Sequence, residues 1–341
     1  MSPGRGRTAV VVCCAALAAV IAARAGTVRA DMQLEELPRT MVGSEPVIQA
    51  VPAPSGSPVA VITDGQMPPP VGYPAGGIAM AEAIAYDAPW SWQILPVGLI
   101  WHSYLAGVKE PRMGSVFNYQ PGLGWVWDAT AGGRVGLLRY GTPNGFRPEG
   151  WQLDLEGAAF PQLLMQQNWD MHSTDFRVGV PLTYGIGPVQ FKFEVYHLSS
   201  HLGDEFMLSH PTVQRINYSR NALVFGTSYY ATDNIRLYGE VGWAFYADGG
   251  SEPWELQFGA EYSPIYAPSF RGSPFAAING HLRQEVAFGG ALTVQVGWQW
   301  LNGGTGTRVR AGFQYLNGKN EQYQFFNQYV QQFGFGIWYD Y

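Results

Sequence analysis

The final nine residues of the chain alternate between two kinds of side chain. They read Phe333-Gly-Phe-Gly-Ile-Trp-Tyr-Asp-Tyr341, so the odd-numbered positions are Phe, Phe, Ile, Tyr and Tyr. Because successive side chains of a β-strand point to opposite faces, this run predicts a strand with one wholly apolar and aromatic face. Such a face needs a hydrophobic environment along its whole length.

The same alternation continues through most of the chain. Outside residues 8–23, no stretch approaches the roughly 18 continuous apolar residues that a membrane helix needs. Aromatic residues make up 14% of the chain and charged residues only 13%, yet the apolar residues come alternately and not in blocks. A closed β-barrel fits this pattern, because closure satisfies every backbone group while lipid faces only every second side chain.

The sequence therefore predicts an all-β fold, an antiparallel transmembrane β-barrel of about 12 strands with short periplasmic turns and longer outer loops. A last strand that ends in an aromatic residue is also expected to be the contact for the barrel-assembly machinery of the bacterial outer membrane. The expected strands lie at 115–129, 134–140, around 151–156, 175–184, 189–199, 217–230, 235–246, 254–262, 275–283, 292–300, 308–316 and 333–341.

Residues 1–30 have the features of a signal peptide. Arg5 and Arg7 precede an apolar run, and small residues follow it before a plausible cleavage site. Both cysteines of the chain, Cys13 and Cys14, would be removed with this segment. The mature protein is therefore expected to contain no disulfide.

Residues 31–90 are rich in Pro, Ala and Gly and predict a disordered periplasmic leader. The outer-membrane barrel domain is expected at 91–341, with the N-terminus in the periplasm and residues 95–114 packed at the periplasmic rim. The net charge of −6, from 26 acidic and 20 basic residues, argues against nucleic acid as a partner.

Positions that face away from lipid carry charges of both signs. Charges confined in a barrel pair with one another, and at this number of strands the side chains can fill much of the interior. We therefore expect a narrow or plugged barrel and not a wide pore. The positions are Asp154, Glu156, Asp175, Arg177, Lys192, Glu194, Arg220, Arg236, Glu240, Glu255, Glu261, Arg283, Arg308 and Arg310.

The strand expected at 189–199 ends in residues that can carry chemistry. If the alternation holds to its end, His197 and Ser199 share the lipid face with Phe193. Polar side chains that face lipid are costly unless they have a use. Asn221 lies near the start of the next strand, on the same face, which would make it a cross-strand neighbour of His197.

This constellation resembles that of outer-membrane phospholipase A, in which a His-x-Ser on one strand and an Asn on the next form a lipid-facing triad. The His-x-Ser is also similar to that of the lipid A deacylases. The resemblance implies that Ser199 is the nucleophile, His197 the general base and Asn221 the group that orients the imidazole.

The same resemblance implies an acyl hydrolase that acts on outer-leaflet phospholipid or lipid A. Its partners would be outer-membrane lipid and lipopolysaccharide, and calcium is the cofactor that it implies. The chain departs from the phospholipase pattern after Ser199, where Ser200 and His201 stand in place of Asn-Gly, and its loop to Asn221 is longer.

The chain from about residue 95 onward also resembles a bacterial family known as domain of unknown function 1207. This resemblance implies a single domain of outer-membrane barrel type and no particular activity. Three segments carry the likeness: Ser103-Tyr-Leu-Ala-Gly107, Lys109-Glu-Pro-Arg-Met-Gly114 and His197-Leu-Ser-Ser-His-Leu-Gly-Asp-Glu205.

Other interpretations remain open. A strand that ended at Val195 would leave His197 and Ser199 in a loop, where they would make ordinary turn hydrogen bonds. The barrel as a whole could then be non-enzymatic, either a narrow pore or a structural protein of the envelope.

A metal site is a separate hypothesis for the outer loop that follows the 189–199 strand. His201, Asp204, Glu205 and His210 are ligand types that suit zinc or calcium. Their spacing matches no established metal motif, so a solvated loop is the alternative.

Overall fold

A computed structural model describes residues 89–143, 147–265 and 271–341 of the chain. The expected signal peptide and nearly all of the expected leader lie outside these residues. No helix in the described part is long and apolar enough to cross a membrane. The strands are β1 (Ser91–Ile94), β2 (Met113–Gln120), β3 (Gly124–Gly141), β4 (Gly150–Leu164), β5 (Asp170–Ile186), β6 (Val189–Leu202), β7 (Ser219–Thr232), β8 (Ile235–Asp248), β9 (Trp254–Tyr262), β10 (Ser273–Arg283), β11 (Gly290–Leu301), β12 (Arg308–Lys319) and β13 (Tyr329–Asp340).

Strands β2 to β13 form a closed antiparallel barrel of twelve strands. Each strand pairs with the next along the chain, and β13 pairs back onto β2 from Phe333 opposite Tyr119 to Tyr339 opposite Met113. Closure leaves the barrel without an edge strand, so the backbone groups are satisfied within the sheet. The predicted fold class is confirmed.

The two faces of the sheet have opposite chemistry. On β9, Trp254, Leu256 and Phe258 are exposed on the outside, while Glu255 and Glu261 are buried inside. The last strand follows the same rule, with its odd-numbered aromatic and aliphatic residues exposed. A barrel that is apolar outside and charged inside is suited to a hydrocarbon surrounding.

The first two predicted strands had the wrong boundaries. The expected strand at 115–129 is divided by a turn at residues 121–123, and β3 continues without a break through 130–133. The turn contains Pro121 and Gly122, Gly122 has a φ of 84°, and the Leu123 N–H donates to the Gln120 carbonyl at 3.1 Å. Pro at the second position and Gly at the third are the residues that favour a type II turn. This turn separates β2 from β3, although the residues on both sides of it alternate as in one strand.

Most of residues 95–112 lie inside the barrel, although Leu95 and Val97 are exposed. This corrects the prediction that 95–114 pack at its rim. β1 and β2 both pair with the same side of β3, at Leu138 and Ala131 respectively. The two points are seven positions apart on β3, which is about 23 Å. The connection between β1 and β2, residues 95–112, has eighteen residues, and far fewer would span this distance. The surplus folds inward, where Trp101 and Tyr104 are fully buried. We call residues 95–112 the inner segment.

The inner segment is bound to the barrel wall by charged side chains. The Tyr104 hydroxyl donates to Glu240 at 2.7 Å, and the Leu105 N–H donates to Glu261 at 2.6 Å. The two ion pairs that anchor its second half are Lys109–Asp175 at 2.6 Å and Arg112–Asp340 at 2.9 Å. Its position therefore depends on partners that are distant in the sequence.

A second segment, residues 320–328, folds into the lumen between β12 and β13. The Arg283 guanidinium donates to the Asn320 carbonyl at 2.9 Å, and the Gln324 amide donates to the Ser200 carbonyl at 2.8 Å. His281 lies 3.0 Å from the Glu321 carboxylate. The end of the barrel with this connection and 203–218 is called the loop end, and the end with connections 187–188 and 233–234 the turn end.

The remaining interior is filled by paired charges, as the alternation predicted. Because buried ions are costly unless paired, the mixed signs let the inward side chains neutralise one another. The interior is therefore packed with side chains and two folded segments. The wall-to-wall pairs include Arg134–Asp154 at 2.7 Å, Arg177–Glu194 at 2.8 Å, Lys192–Glu240 at 2.8 Å, Arg220–Glu255 at 3.3 Å and Arg310–Asp340 at 2.6 Å.

Charged substitutions on the outer face should destabilise the barrel according to depth. Phe313, in the middle of β12, is 66% exposed on that face. Phe313→Arg should lower the free energy of unfolding by about 2–4 kcal/mol, whereas Tyr329→Arg at the loop end of β13 should lower it by about 0–1 kcal/mol. Urea titration of protein folded into lipid vesicles measures both values. Equal losses at the two positions would contradict a membrane-spanning outer face.

Candidate functional site

Strands β6 and β7 bring the predicted catalytic residues to one place. β6 continues to Leu202, so His197 and Ser199 lie within the strand and not in a loop. In the antiparallel register, His197 stands directly opposite Asn221 of β7. Both strands keep their alternation up to this point, and it puts all three side chains on the outer face.

His197 and Asn221 are joined by a hydrogen bond. The His197 Nδ1 to Asn221 Oδ1 distance is 2.7 Å. Because Oδ1 can only accept, Nδ1 carries the proton and donates it. In a neutral imidazole this leaves Nε2 unprotonated, which is the form that a general base requires.

Ser199 lies two residues further along β6, on the same face as His197. The two Cα atoms are therefore about 6.6 Å apart along the strand. Within the described residues, the Ser199 hydroxyl makes no hydrogen bond to His197. The structure thus brings together His197 and Asn221, the predicted base and its orienting group. It places Ser199, the predicted nucleophile, beside them without a hydrogen bond to His197.

The surroundings of the three residues are apolar on the turn-end side. Phe191, Phe193 and Val195 precede them on the same face of β6 and are exposed. Phe225 continues this surface on β7. The site therefore lies where the apolar band approaches the loop end of the barrel.

Two neighbours of the site were missed by the sequence analysis. Ser219 of β7 stands opposite Ser199, and Tyr246 of β8 stands opposite Asn221. Both could have been found only from the strand register. The register of β6 and β7 depends on how the connection 203–218 folds, and the register of β7 and β8 is shifted between Asn221 and Ala222. No local pattern reveals either.

The four candidate metal ligands are not brought together. Asp204 and Glu205 are exposed in the first turn of α1 (Asp204–Ser209), a helix that was not predicted. The His210 ring is stacked on Phe206 with centroids 4.3 Å apart. The His201 Nδ1 is 2.9 Å from the Arg215 guanidinium, a neighbour that would repel a metal cation.

Among the residues that the structure describes, no three or more His, Cys, Asp or Glu side chains are grouped as metal ligands. The predicted site at His201, Asp204, Glu205 and His210 therefore stays a prediction. The predicted metal site gains no support from the fold of this loop.

The fold and its surface chemistry define a transmembrane β-barrel with a filled lumen and a polar cluster on its outer face. The chain belongs to the family described as "Protein of unknown function (DUF1207)", whose model matches residues 128–341. The resemblance that the sequence analysis stated is confirmed. The match does not include 103–107 and 109–114, two of the three segments in which the sequence resembles this family.

The chain is also similar to several solved structures. Salmonella typhi outer membrane phospholipase (OMPLA), a dimer with bound calcium, aligns with a TM-score of 0.46 and 11% identity over 67% of this chain and 91% of that one. Escherichia coli outer membrane phospholipase A gives 0.45 and 11% over 67% and 90%. Pseudomonas aeruginosa OccK9 (OpdG) gives 0.27 and 11% over 63% and 65%. No curated protein matches the chain in sequence.

Proposed function

We propose that the protein is a bacterial outer-membrane β-barrel that hydrolyses acyl esters of membrane lipid at its outer face. The observation that carries this proposal is the 2.7 Å hydrogen bond between His197 and Asn221, with Ser199 on the same face. A histidine held in one tautomer on a lipid-facing surface has no evident structural use there. The free-energy cost of placing this polar side chain against lipid is explained if the imidazole acts as a base.

In the proposed reaction, the Ser199 hydroxyl attacks the ester carbonyl of a bound lipid. His197 Nε2 takes the hydroxyl proton, and Asn221 holds the ring through Nδ1 as the positive charge develops. The acyl C–O bond then breaks, and His197 returns the proton to the leaving alcohol. Water hydrolyses the acyl-serine in the second half, again with His197 as the base. The contact between Ser199 and His197 must close when substrate binds, as catalytic contacts commonly do.

The orientation of the barrel determines which leaflet of the membrane the site contacts. We place the loop end outside the cell and the turn end in the periplasm. The longest connection between barrel strands, 203–218, lies at the loop end and the two shortest, 187–188 and 233–234, lie at the turn end, and bacterial outer-membrane barrels have long outer loops and short periplasmic turns. The site then meets the outer leaflet, where its substrate would be phospholipid or lipid A and its neighbours lipopolysaccharide. The N-terminus lies in the periplasm, and β13 is the contact for the assembly machinery.

Calcium enters the proposal only as a variable of the assay. Its candidate ligands His201, Asp204, Glu205 and His210 are dispersed over a strand, a helix and a loop, so no step of the mechanism is routed through a metal. Rates measured with calcium and with a chelator show directly whether the ion contributes.

Substitutions in the triad should remove activity in a defined order. Ser199→Ala should reduce acyl release from phospholipid or lipid A to the background rate, because no nucleophile remains. His197→Ala should cost about 10²–10⁴-fold in kcat, the usual contribution of a general base. Asn221→Ala should cost less than His197→Ala, since it orients the base without reacting. Fatty acid release in mixed micelles, with and without calcium, is the measurement.

Ser200→Ala is the matched control for the nucleophile. Ser200 is the next residue on β6 and points into the lumen, where its hydroxyl has no hydrogen-bond partner among the described residues. This variant should keep full activity. Acyl release that survives Ser199→Ala, or that is lost equally in Ser200→Ala, would refute the assignment.

The alternative is a non-enzymatic barrel, and the filled lumen favours a structural envelope protein over a pore within that class. The inner segment and residues 320–328 occupy the interior, and both are fastened by buried hydrogen bonds and ion pairs. An open channel would require at least one of them to leave. The catalytic proposal and this alternative differ in the activity assay and agree that the barrel is closed.

Removing the buried side chains of the inner segment should open the barrel. The wild-type protein in planar bilayers is expected to show no steady ion conductance. Replacing residues 99–110 by a Gly/Ser sequence of equal length should produce a steady conductance, because the side-chain bonds of Tyr104 to Glu240 and of Lys109 to Asp175 are lost. The same replacement at the exposed residues 211–214 is the control and should leave the barrel closed. Steady conductance of the wild-type protein would contradict the closed interior.

A further inference from the structure

A second polar site lies at the turn end of the barrel, where the inner segment meets the wall. Together they line a small polar cleft. We infer that this cleft is an anion-binding site that takes a phosphate group, held by Arg308 and Arg236. None of its residues takes part in the proposed ester hydrolysis, so the two proposals stand or fall separately.

Guanidinium groups outnumber carboxylates in the lining of this cleft. Arg147, Arg236 and Arg308 line it together with Asp233 and Glu261. Arg147 pairs with Asp233 at 3.2 Å, and Arg236 pairs with Glu261 at 3.5 Å. Each of the two carboxylates is therefore paired with one arginine, and the third arginine has no carboxylate of the cleft as its partner. The third arginine leaves the cleft with an excess of positive charge.

Arg308 is this third arginine. It is only 7% exposed, and its Nη1 donates to the Ser263 hydroxyl at 2.7 Å. Its cross-strand neighbour Asp340 is already bound by Arg310 at 2.6 Å and by Arg112 at 2.9 Å. No carboxylate of the described residues is within ion-pair distance of Arg308. Because a buried charge without a counter-ion is costly, an anionic ligand is the partner that would complete the site.

Arg236 adds unsatisfied donors to the same cleft. It is 3% exposed, and its Nε and Nη2 have no hydrogen-bond partner among the described residues. The rings of Trp101 and Tyr230, with centroids 5.0 and 6.0 Å from its Cζ, support the positive charge but accept no conventional hydrogen bond from it. Two guanidinium groups on one small cleft suit an oxyanion, since the planar donor fork of arginine matches phosphate oxygens.

The ligand can be a free phosphate ion or the phosphate group of a lipid. Isothermal titration calorimetry of the whole protein in dodecyl maltoside, first with inorganic phosphate and then with phosphatidylglycerol micelles, distinguishes the two sources. The wild-type protein should bind at least one of the probes saturably at constant ionic strength. Arg308→Gln should weaken that binding about tenfold or more, because it removes a charge-assisted hydrogen-bond donor.

Two further variants make the test independent of how well Arg308→Gln folds. Glu261→Gln removes negative charge beside Arg236 while the side chain can still accept from the Leu105 N–H, so it should tighten binding. Arg215→Gln changes an exposed arginine at the loop end and should leave binding unchanged. The proposal is overturned if neither probe binds the wild-type protein, if Glu261→Gln fails to tighten binding, or if Arg215→Gln weakens it as much as Arg308→Gln.

Discussion

Hydrocarbon offers no hydrogen-bond partner to a peptide group, and this constraint governs the whole structure. A sheet that spans such a medium must satisfy its backbone within itself, which the pairing of β13 with β2 achieves by closing the barrel. Closure in turn assigns every second side chain to lipid and every other one to the interior. The exposed aromatic residues and the buried ion pairs are two consequences of the same alternation.

The interior of the barrel then has to be filled. Wall side chains alone do not do this, and the inner segment enters the lumen to bind Asp175, Glu240, Glu261 and Asp340. The segment 320–328 enters as well and binds through Arg283 and Ser200. Because the interior is filled, side chains that a substrate or ligand can reach lie on the outer face of the barrel and at its two ends. Both proposals of function concern such places.

Much of the fold could be predicted because the alternation of a strand is local. The apolar and charged faces of β9, and the shared outer face of His197 and Ser199, follow from residues adjacent in one strand. The location of the inner segment could not be predicted in this way. It has no period of its own, and Lys109 and Arg112 find their partners 66 and 228 residues away in sequence.

The features that strand periodicity does not predict have different physical origins. Pro121 and Gly122 signal a turn in the sequence, but the alternation on both sides of them predicts one continuous strand. Helix α1 and the dispersal of His201 and His210 depend on the packing of a long connection, which residue types alone do not determine. The relation of Ser199 to His197 depends on side-chain rotamers, and strand periodicity says nothing about these.

The fold and the proposed catalytic site both depend on the alternation along β6, and crosslinking of the unaltered protein tests this alternation directly. Phospholipids that carry a photoactivatable diazirine in the acyl chain would be incorporated around the barrel, and the crosslinked residues mapped by mass spectrometry. Crosslinks are expected at Phe191, Phe193 and Val195 and not at Gln190, Lys192 or Glu194. Crosslinks to the second set, or to neither, would contradict the account.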